Sequence, residues 1–348
     1  MTPRPDEPHG LARARDPLGA TAPLTFQQEF PLLGVPLRVR SNARRAIELA
    51  TASFSAWQSL DNALIARDVS VDMRVIVHDS PGSSHPQQAG RPEGAGRYDD
   101  AFIYRRHGAM LVASCGSTLL TIDLEQRLYL VFVPSAALDR PEWYAWHING
   151  MARFAVSPAD RHPFHGATFV VDDTAIIVTG PTGCGKSTLA YAALRQRLPV
   201  LCEETTHLSL ANGLSLWGDS DRISLAADAV AFFPELASWP VRALPSGRMK
   251  RTFPVTLVQR QPLLCHRGPV MLCVLTRPRV GPPIVEPMSP LEREALLSSD
   301  PEDGFDQFPE THARLAEVFA HVPAYRVTVG SDPDDAVRAL IMTARAIG

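Results

Sequence analysis

At 348 residues, with 45% hydrophobic and 20% charged residues, the chain can bury a substantial core, and its size favours two domains over one. Lys and Arg number 34 against 37 Asp and Glu, a formal charge of −3, which excludes a broadly basic nucleic-acid-binding surface but leaves room for a local basic pocket. The five cysteines, Cys115, Cys184, Cys202, Cys265 and Cys273, include no close CxxC pair and read as thiols of a reducing interior, not as a disulfide framework.

Residues 1–25 read as a flexible tail rich in Pro, Gly and charge. No apolar segment follows a basic start, and no apolar run approaches membrane-spanning length. A soluble cytoplasmic protein without a membrane partner is therefore expected. Residues 26–160 form the first expected domain, a sheet-dominated α+β accessory or substrate-recognition module. Short strands from Phe26 to Arg40 precede a helix over AIELATASFSAWQSL, in which Ile47, Ala50, Phe54, Trp57 and Leu60 recur at helical spacing and Asn42 is a candidate N-cap. VDMRVIVH alternates like a strand, and Asp79–Gly96 reads as a long loop. Several short strands follow, with hairpin breaks at the GS after Cys115 and at DLEQR. PEWYAWHINGMARFAV is then helical, with Trp143, Trp146 and Met151 as apolar anchors.

Residues 161–348 form the second expected domain. Two strands flank the turn formers Asp172 and Asp173, LPVLCEE is an apolar strand ending in acids, and further short strands are expected around LSL and VTLV. Helices are expected at PLEREALLSS and THARLAEVFAHV, then the strand YRVTVG and a last helix capped by Asp332 with Pro333 in its first turn. This order gives an α/β or α+β fold with a mixed sheet, not a regular series of βαβ units. No internal repeat is present.

The chemistry is concentrated around GPTGCGKST, Gly180 to Thr188, which satisfies the Walker A pattern GxxxxGK[ST]. The apolar run Ala175–Val178 precedes it and a helix-compatible stretch follows, so the loop Gly180, Pro181, Thr182, Gly183, Cys184, Gly185, Lys186, Ser187 and Thr188 forms a phosphate cradle, its backbone N–H groups (all but that of Pro181, which has none) serving as the donors. In such a P-loop Lys186 meets the β/γ-phosphates of ATP and the Ser187 hydroxyl binds Mg²⁺. Glu203 and Glu204 end the next apolar strand. One carboxylate suits Mg²⁺ coordination and the other orientation or deprotonation of a hydroxyl nucleophile, with the division open. His165, before Gly166, is a candidate for contacting phosphate, carboxylate or acceptor. Arg248, Lys250 and Arg251 in PSGRMKRTFP can neutralise transferring phosphoryl charge or recognise an anionic acceptor, and Arg242 is a weaker candidate. HPFH is not a convincing metal motif. Cys265, His266 and Cys273 read as strand residues and not as a metal fragment.

The combination of His165–Gly166, a short hairpin, GPTGCGKST and VLCEE resembles the catalytic domain of the HPr kinase/phosphorylase superfamily. The resemblance spans roughly Pro163 to the last helix. It implies a phosphoenolpyruvate-carboxykinase-like P-loop kinase domain with a mixed sheet, preceded by the β-rich α+β domain. It places ATP on Gly180–Thr188 and Mg²⁺ at Ser187, maps the family's paired aspartates onto Glu203 and Glu204, and maps its active-site histidine onto His165. Glutamate reaches farther than aspartate, no persuasive version of the phosphorylase-associated sequence is present, and the N-terminal half does not match the usual regulatory domain. The broader group includes kinases of other peptide and small-molecule hydroxyls, some in peptide-modification pathways such as those of lasso peptides. A divergent kinase acting on a hydroxyl of a peptide, protein or specialised metabolite is the leading expectation. A P-loop NTPase and a nucleotide-responsive partner-binding protein are the alternatives, and the oligomeric state is open.

Overall fold

The computed structural model describes residues 23–78, 96–97, 103–115, 117–211, 213–218, 221–243, 249–276, 279–297 and 309–347. The tail expected over residues 1–25 lies outside them up to residue 22. So does the expected loop at Asp79–Gly96, apart from Gly96.

The first elements are β1 (Phe26–Leu32), β2 (Val35–Ser41), α1 (Arg44–Phe54), β3 (Val71–His78), β4 (Gly96–Arg97), β5 (Ile103–His107), β6 (Met110–Cys115), β7 (Thr118–Asp123) and β8 (Leu128–Pro134). The strands form one sheet in the order β1-β2-β3-β8-β7-β6-β5-β4. In it β2, β3 and β8 are parallel, and the other neighbours are antiparallel. Because successive strand side chains alternate between faces, Val35, Leu37 and Val39 share one buried layer with Val71, Met73 and Val75 and with Tyr129, Val131 and Val133. Ala46, Leu49, Ala50 and Phe54 of α1 pack on this layer, joined by Trp57 from the 3₁₀ turn Ser55–Ser59 that ends the helix. The segment expected to be one helix after β8 is α2 (Pro141–Tyr144), a π-helical turn (Ala145–Asn149) and α3 (Ala152–Ala155). Tyr144, Ile148, Met151 and Ala152 bury their side chains in the same core. The break expected at DLEQR is a turn in which Asp123 accepts from the amides of Glu125 and Gln126 at 3.0 and 2.9 Å.

Asn42 does not cap α1. Its side chain donates to the carbonyl of Val77 and accepts from that residue's amide, both at 2.8 Å, so it extends the β3 ladder, and the N-cap position is held by Ala43 without a side-chain bond. Pairing with a strand 35 residues away outweighs the local cap.

The rest of the chain forms β9 (His162–His165), β10 (Ala167–Val171), β11 (Thr174–Thr179), α4 (Lys186–Arg195), β12 (Val200–Cys202), β13 (Thr205–Ser209), β14 (Ser215–Trp217), β15 (Arg222–Ala226), β16 (Val241–Ala243), β17 (Met249–Pro254), β18 (Cys265–His266), β19 (Val270–Leu275), β20 (Ile284–Pro287), α5 (Pro290–Leu297), α6 (Pro309–Phe319), β21 (Ala324–Thr328) and α7 (Pro333–Ile347). A mixed sheet runs β12-β10-β11-β19-β21-β20, with β11, β19 and β21 parallel. Smaller sheets run β18-β14-β13-β9 and β15-β17-β16. The architecture is α+β with mixed sheets, as the sequence implies. Buried on both faces, β11 and β19 carry continuous apolar runs. Ile176, Val178, Met271 and Cys273 face α4 and α7, while Ala175, Ile177 and Leu272 face Leu315 and Phe319 of α6. Asp172 takes the left-handed conformation (φ 50°) in the β10–β11 turn. Asp332 caps α7 by accepting from the Asp334 amide at 2.8 Å.

The expected strand at VTLV is instead a 3₁₀ turn, Val255–Leu257. Only Val255 is buried, while Leu257 and Val258 are exposed. The turn brings the Gln259 side-chain amide against the edge of β12, where it accepts from the Val200 amide at 2.7 Å and donates to the Val200 carbonyl at 3.2 Å. An edge strand is thereby closed to further pairing.

Trp217 of β14 joins the two parts of the chain. It is buried in the core of the first sheet, against Gly34 (φ 73°), and the Arg161 guanidinium stacks 4.4 Å from its ring. Trp217→Ala is expected to lower unfolding stability by about 3–5 kcal/mol, the usual cost of removing a buried aromatic side chain. A denaturant midpoint unchanged from the parent would contradict this packing.

Candidate functional site

β11 ends at Thr179 and the chain turns through three left-handed glycines, Gly180 (φ 141°), Gly183 (φ 82°) and Gly185 (φ 107°), before entering α4 at Lys186. A Cβ on Gly180 would lie 2.7 Å from the Leu275 carbonyl oxygen, so the loop packs closely over the end of β19. Gly185 is the N-cap of α4 and offers no side-chain acceptor, which leaves the first amides of a ten-residue helix for an anion. Pro181, Thr182 and Gly183 are exposed and Cys184 is buried beneath them. Lys186 folds over the loop, donating from Nζ to the carbonyls of Gly180 and Pro181 at 2.5 and 3.3 Å.

The acidic pair lies in the β12–β13 turn, directly opposite the head of α4. Ser187 Oγ donates to Glu203 Oε1 at 2.6 Å, and the Ser224 amide on the edge of β15 donates to Glu203 Oε2 at 3.1 Å. Burial and the neighbouring Glu204 carboxylate push the Glu203 carboxyl up to about 7; Lys250, Ser187 and Ser224 pull it down. Glu204 is exposed. Its carbonyl accepts from the Gly166 amide at 3.0 Å, and Thr179 Oγ1 donates to the His165 carbonyl at 2.8 Å. The backbone at His165–Gly166 therefore ties the glutamate turn to the last residue before the glycine loop. Below it, Thr206 Oγ1 donates to the Gly166 carbonyl at 2.9 Å and lies 2.7 Å from Thr168 Oγ1, a buried hydroxyl pair that fixes this junction.

Of the residues singled out in the sequence, the structure brings together Gly180–Thr188, the backbone of His165, Glu203, Glu204 and the charge of Lys250. Arg251 is not with them. Strand alternation turns it to the opposite face of β17, where its guanidinium donates to the Trp239 carbonyl. Arg242 pairs with Glu142 at 3.3 Å, and Arg248 lies outside the described residues. His266 accepts from the Gly268 amide at 3.1 Å within a turn, and Cys273 is buried in β19, where burial pushes its thiol far above the ordinary range. Sequence reasoning missed Ser224, whose contribution is a backbone amide and carries no residue signature.

One buried group near this site makes stability pH-dependent. His207 of β13 is buried, and burial together with the charges of Arg153 and Arg161 pushes its imidazole down to about 3. Below the ordinary histidine pKa the unfolded chain takes a proton that the folded chain refuses, so this contribution to stability is lost as pH falls from about 6.5 towards 3. Between pH 6.5 and 5 the loss is about 2 kcal/mol. Denaturant midpoints measured across that range are expected to fall less steeply in His207→Gln than in the parent, a comparison in which other titrating groups, Glu203 included, cancel. Identical slopes would contradict the assignment.

No helix among the described residues is long and apolar enough to cross a membrane. No protein-family model matches the sequence, and no curated protein matches it. Among solved structures the chain is similar to the HPr(Ser) kinase/phosphatase from Coxiella burnetii, at 14% identity over 53% of this chain and 88% of that one, with a TM-score of 0.31.

Proposed function

We propose that the protein is an ATP/Mg²⁺-dependent phosphotransferase that transfers the γ-phosphoryl group to a hydroxyl of a peptide, protein or specialised metabolite. The observation that carries this reading is the Ser187–Glu203 contact at the head of α4, immediately after a loop held open by three left-handed glycines. A phosphate-chain cradle and an acidic group then share one place. In this reading residues 161–348 are the catalytic unit and residues 26–160 an accessory or substrate-recognition unit.

The donor set fits Mg²⁺. Ser187 Oγ and Glu203 Oε1 are hard oxygen donors 2.6 Å apart, and one carboxylate with a hydroxyl is what this ion takes when substrate phosphates complete its shell. A carboxyl raised by burial beside a second carboxylate is one that a cation would relieve. Bound Mg²⁺ would supply neutralisation of the phosphate charge. The chain's own residues do the rest. The loop amides hold the phosphates, and Lys186 leaves the Gly180 and Pro181 carbonyls to meet the β/γ-oxygens. Glu203, clamped between Ser187 and Ser224, serves the nucleotide end. Exposed Glu204 serves as base, taking the acceptor's proton as its oxygen bonds to the γ-phosphorus. The bond to the bridging oxygen breaks and ADP leaves. Lys250 stabilises the spreading negative charge.

Incubation with γ-labelled ATP, Mg²⁺ and a peptide and metabolite extract from native cells tests this reading. Label on a hydroxyl, absent with Lys186→Ala, is the expected result. Label released only as inorganic phosphate, or ATP bound without turnover, would contradict it.

A further inference from the structure

The β15–β17–β16 sheet has two faces of opposite character. Cross-strand partners share a face, and the register pairs Arg222 with Pro254, Ser224 with Thr252, Ala226 with Lys250, and Lys250 with Arg242. One face therefore carries Arg222, Ser224, Thr252, Lys250 and Arg242. The other carries Ile223, Leu225 and Phe253, which pack into the core around α4. The edge of this sheet abuts the nucleotide end of the site, since the Ser224 amide on β15 is the second donor to Glu203, and the Lys250 charge acts on the same carboxyl from the polar face. The helical segment after β8 reaches the same face, where Glu142 at the first turn of α2 lies 3.3 Å from Arg242. The charges of Glu142 and Arg153 also act on Arg222.

Four cations, Arg153, Arg222, Arg242 and Lys250, thus gather around this face with the carboxylates of Asp221 and Glu142, while Glu203, on which the Lys250 charge acts, lies at its end towards the phosphate loop, in a chain whose formal charge is −3. Lys250 forms no ion pair with a described residue. Arg222 is already forked onto Asp221, by Nε at 3.1 Å and Nη2 at 2.9 Å. Arg242 and Glu142 are both mostly exposed, their side chains 64% and 73% accessible, so their pairing is weak and exchangeable. Glu142 occupies the position an incoming carboxylate would take on Arg242.

We infer that this polar sheet face is the acceptor platform and that it selects a hydroxyl compound bearing a carboxylate. The inference rests on the phosphotransferase reading and adds the acceptor class. Arg242, released from Glu142, would hold the carboxylate with its planar donors, joined by the Nη1 of Arg222 that the Asp221 fork leaves over, setting the acceptor hydroxyl towards Glu204 and the phosphate loop.

The test is equilibrium binding of labelled serine peptides to the full chain, with Mg²⁺ and a non-hydrolysable ATP analogue present. Three peptides of equal length are compared: acidic side chains with an amidated end, neutral side chains with a free C-terminal carboxylate, and basic side chains with an amidated end. At least one carboxylate-bearing peptide is expected to bind tenfold or more tighter than the basic one, and the tighter of the two identifies the source of the carboxylate. Arg222→Gln with Arg242→Gln is expected to abolish the preference while leaving analogue affinity unchanged. Glu142→Gln, which removes the internal competitor, is expected to tighten binding about threefold. Equal binding of all three peptides, or a preference that survives the double substitution, would overturn the inference. Analogue affinity measured in the same samples reports separately on the nucleotide reading, which falls if the analogue does not bind.

Discussion

Lys186→Ala is expected to lower γ-phosphoryl transfer by about 10²–10³-fold, the usual loss when one preorganised donor to developing charge is removed. The ammonium group is half-buried and bonds to the carbonyls of Gly180 and Pro181, at 2.5 and 3.3 Å, across the mouth of the loop. It is therefore placed to exchange two neutral acceptors for charged phosphate oxygens, and charge-assisted bonds are the stronger kind. The loop conformation itself rests on glycines and on contact with Leu275, so the variant keeps its fold. Single-turnover transfer of γ-label, with a thermal melt of the same sample, checks both halves. Parental transfer, or loss of transfer only through unfolding, would contradict the role given to Lys186.

Glu203→Gln is expected to lower transfer by at least about 10²-fold without destabilising the protein. The amide can keep both contacts, with its oxygen accepting from the Ser224 amide and its nitrogen donating to Ser187 Oγ, which turns from donor to acceptor. What is lost is the negative charge. Burial and Glu204 already disfavour that charge, so a neutral group costs the fold nothing. Mg²⁺-dependent nucleotide affinity should fall in this variant and stay near parental in Glu204→Gln, whose defect should appear in kcat. If both variants show the same defect, the division of roles between the two glutamates is wrong.

The glycine-loop end of the candidate site was readable because it is local. The apolar run Ala175–Val178 and the glycines at positions 180, 183 and 185 each demand one backbone geometry, a doubly buried strand followed by left-handed turns. Asp332–Pro333 at the start of α7 is readable for the same reason. Errors arose where distant chain competed with local preference. Asn42 bonds to Val77 across the sheet, and VTLV curls so that Gln259 can close the edge of β12. The two sides of β17 could not be read from PSGRMKRTFP, because a basic run does not reveal its register. The pairing with β15 and β16 is what sends Lys250 towards Glu203 and Arg251 towards Trp239. Ser224 was invisible for a different reason, since any residue with an amide would serve there.

The shared role of Ser187 and Glu203 at the proposed nucleotide site is tested most directly by one titration, ATP binding measured calorimetrically with excess Mg²⁺ and again with chelator, for the parent and for Ser187→Ala. Glu203 accepts from Ser187 at the head of α4, so the two oxygens are expected to act together on the nucleotide's cation. The expected result is parental affinity that rises tenfold or more with Mg²⁺ and a Mg²⁺ effect largely lost in Ser187→Ala. Affinity indifferent to Mg²⁺ in the parent, or no ATP binding at all, would contradict it.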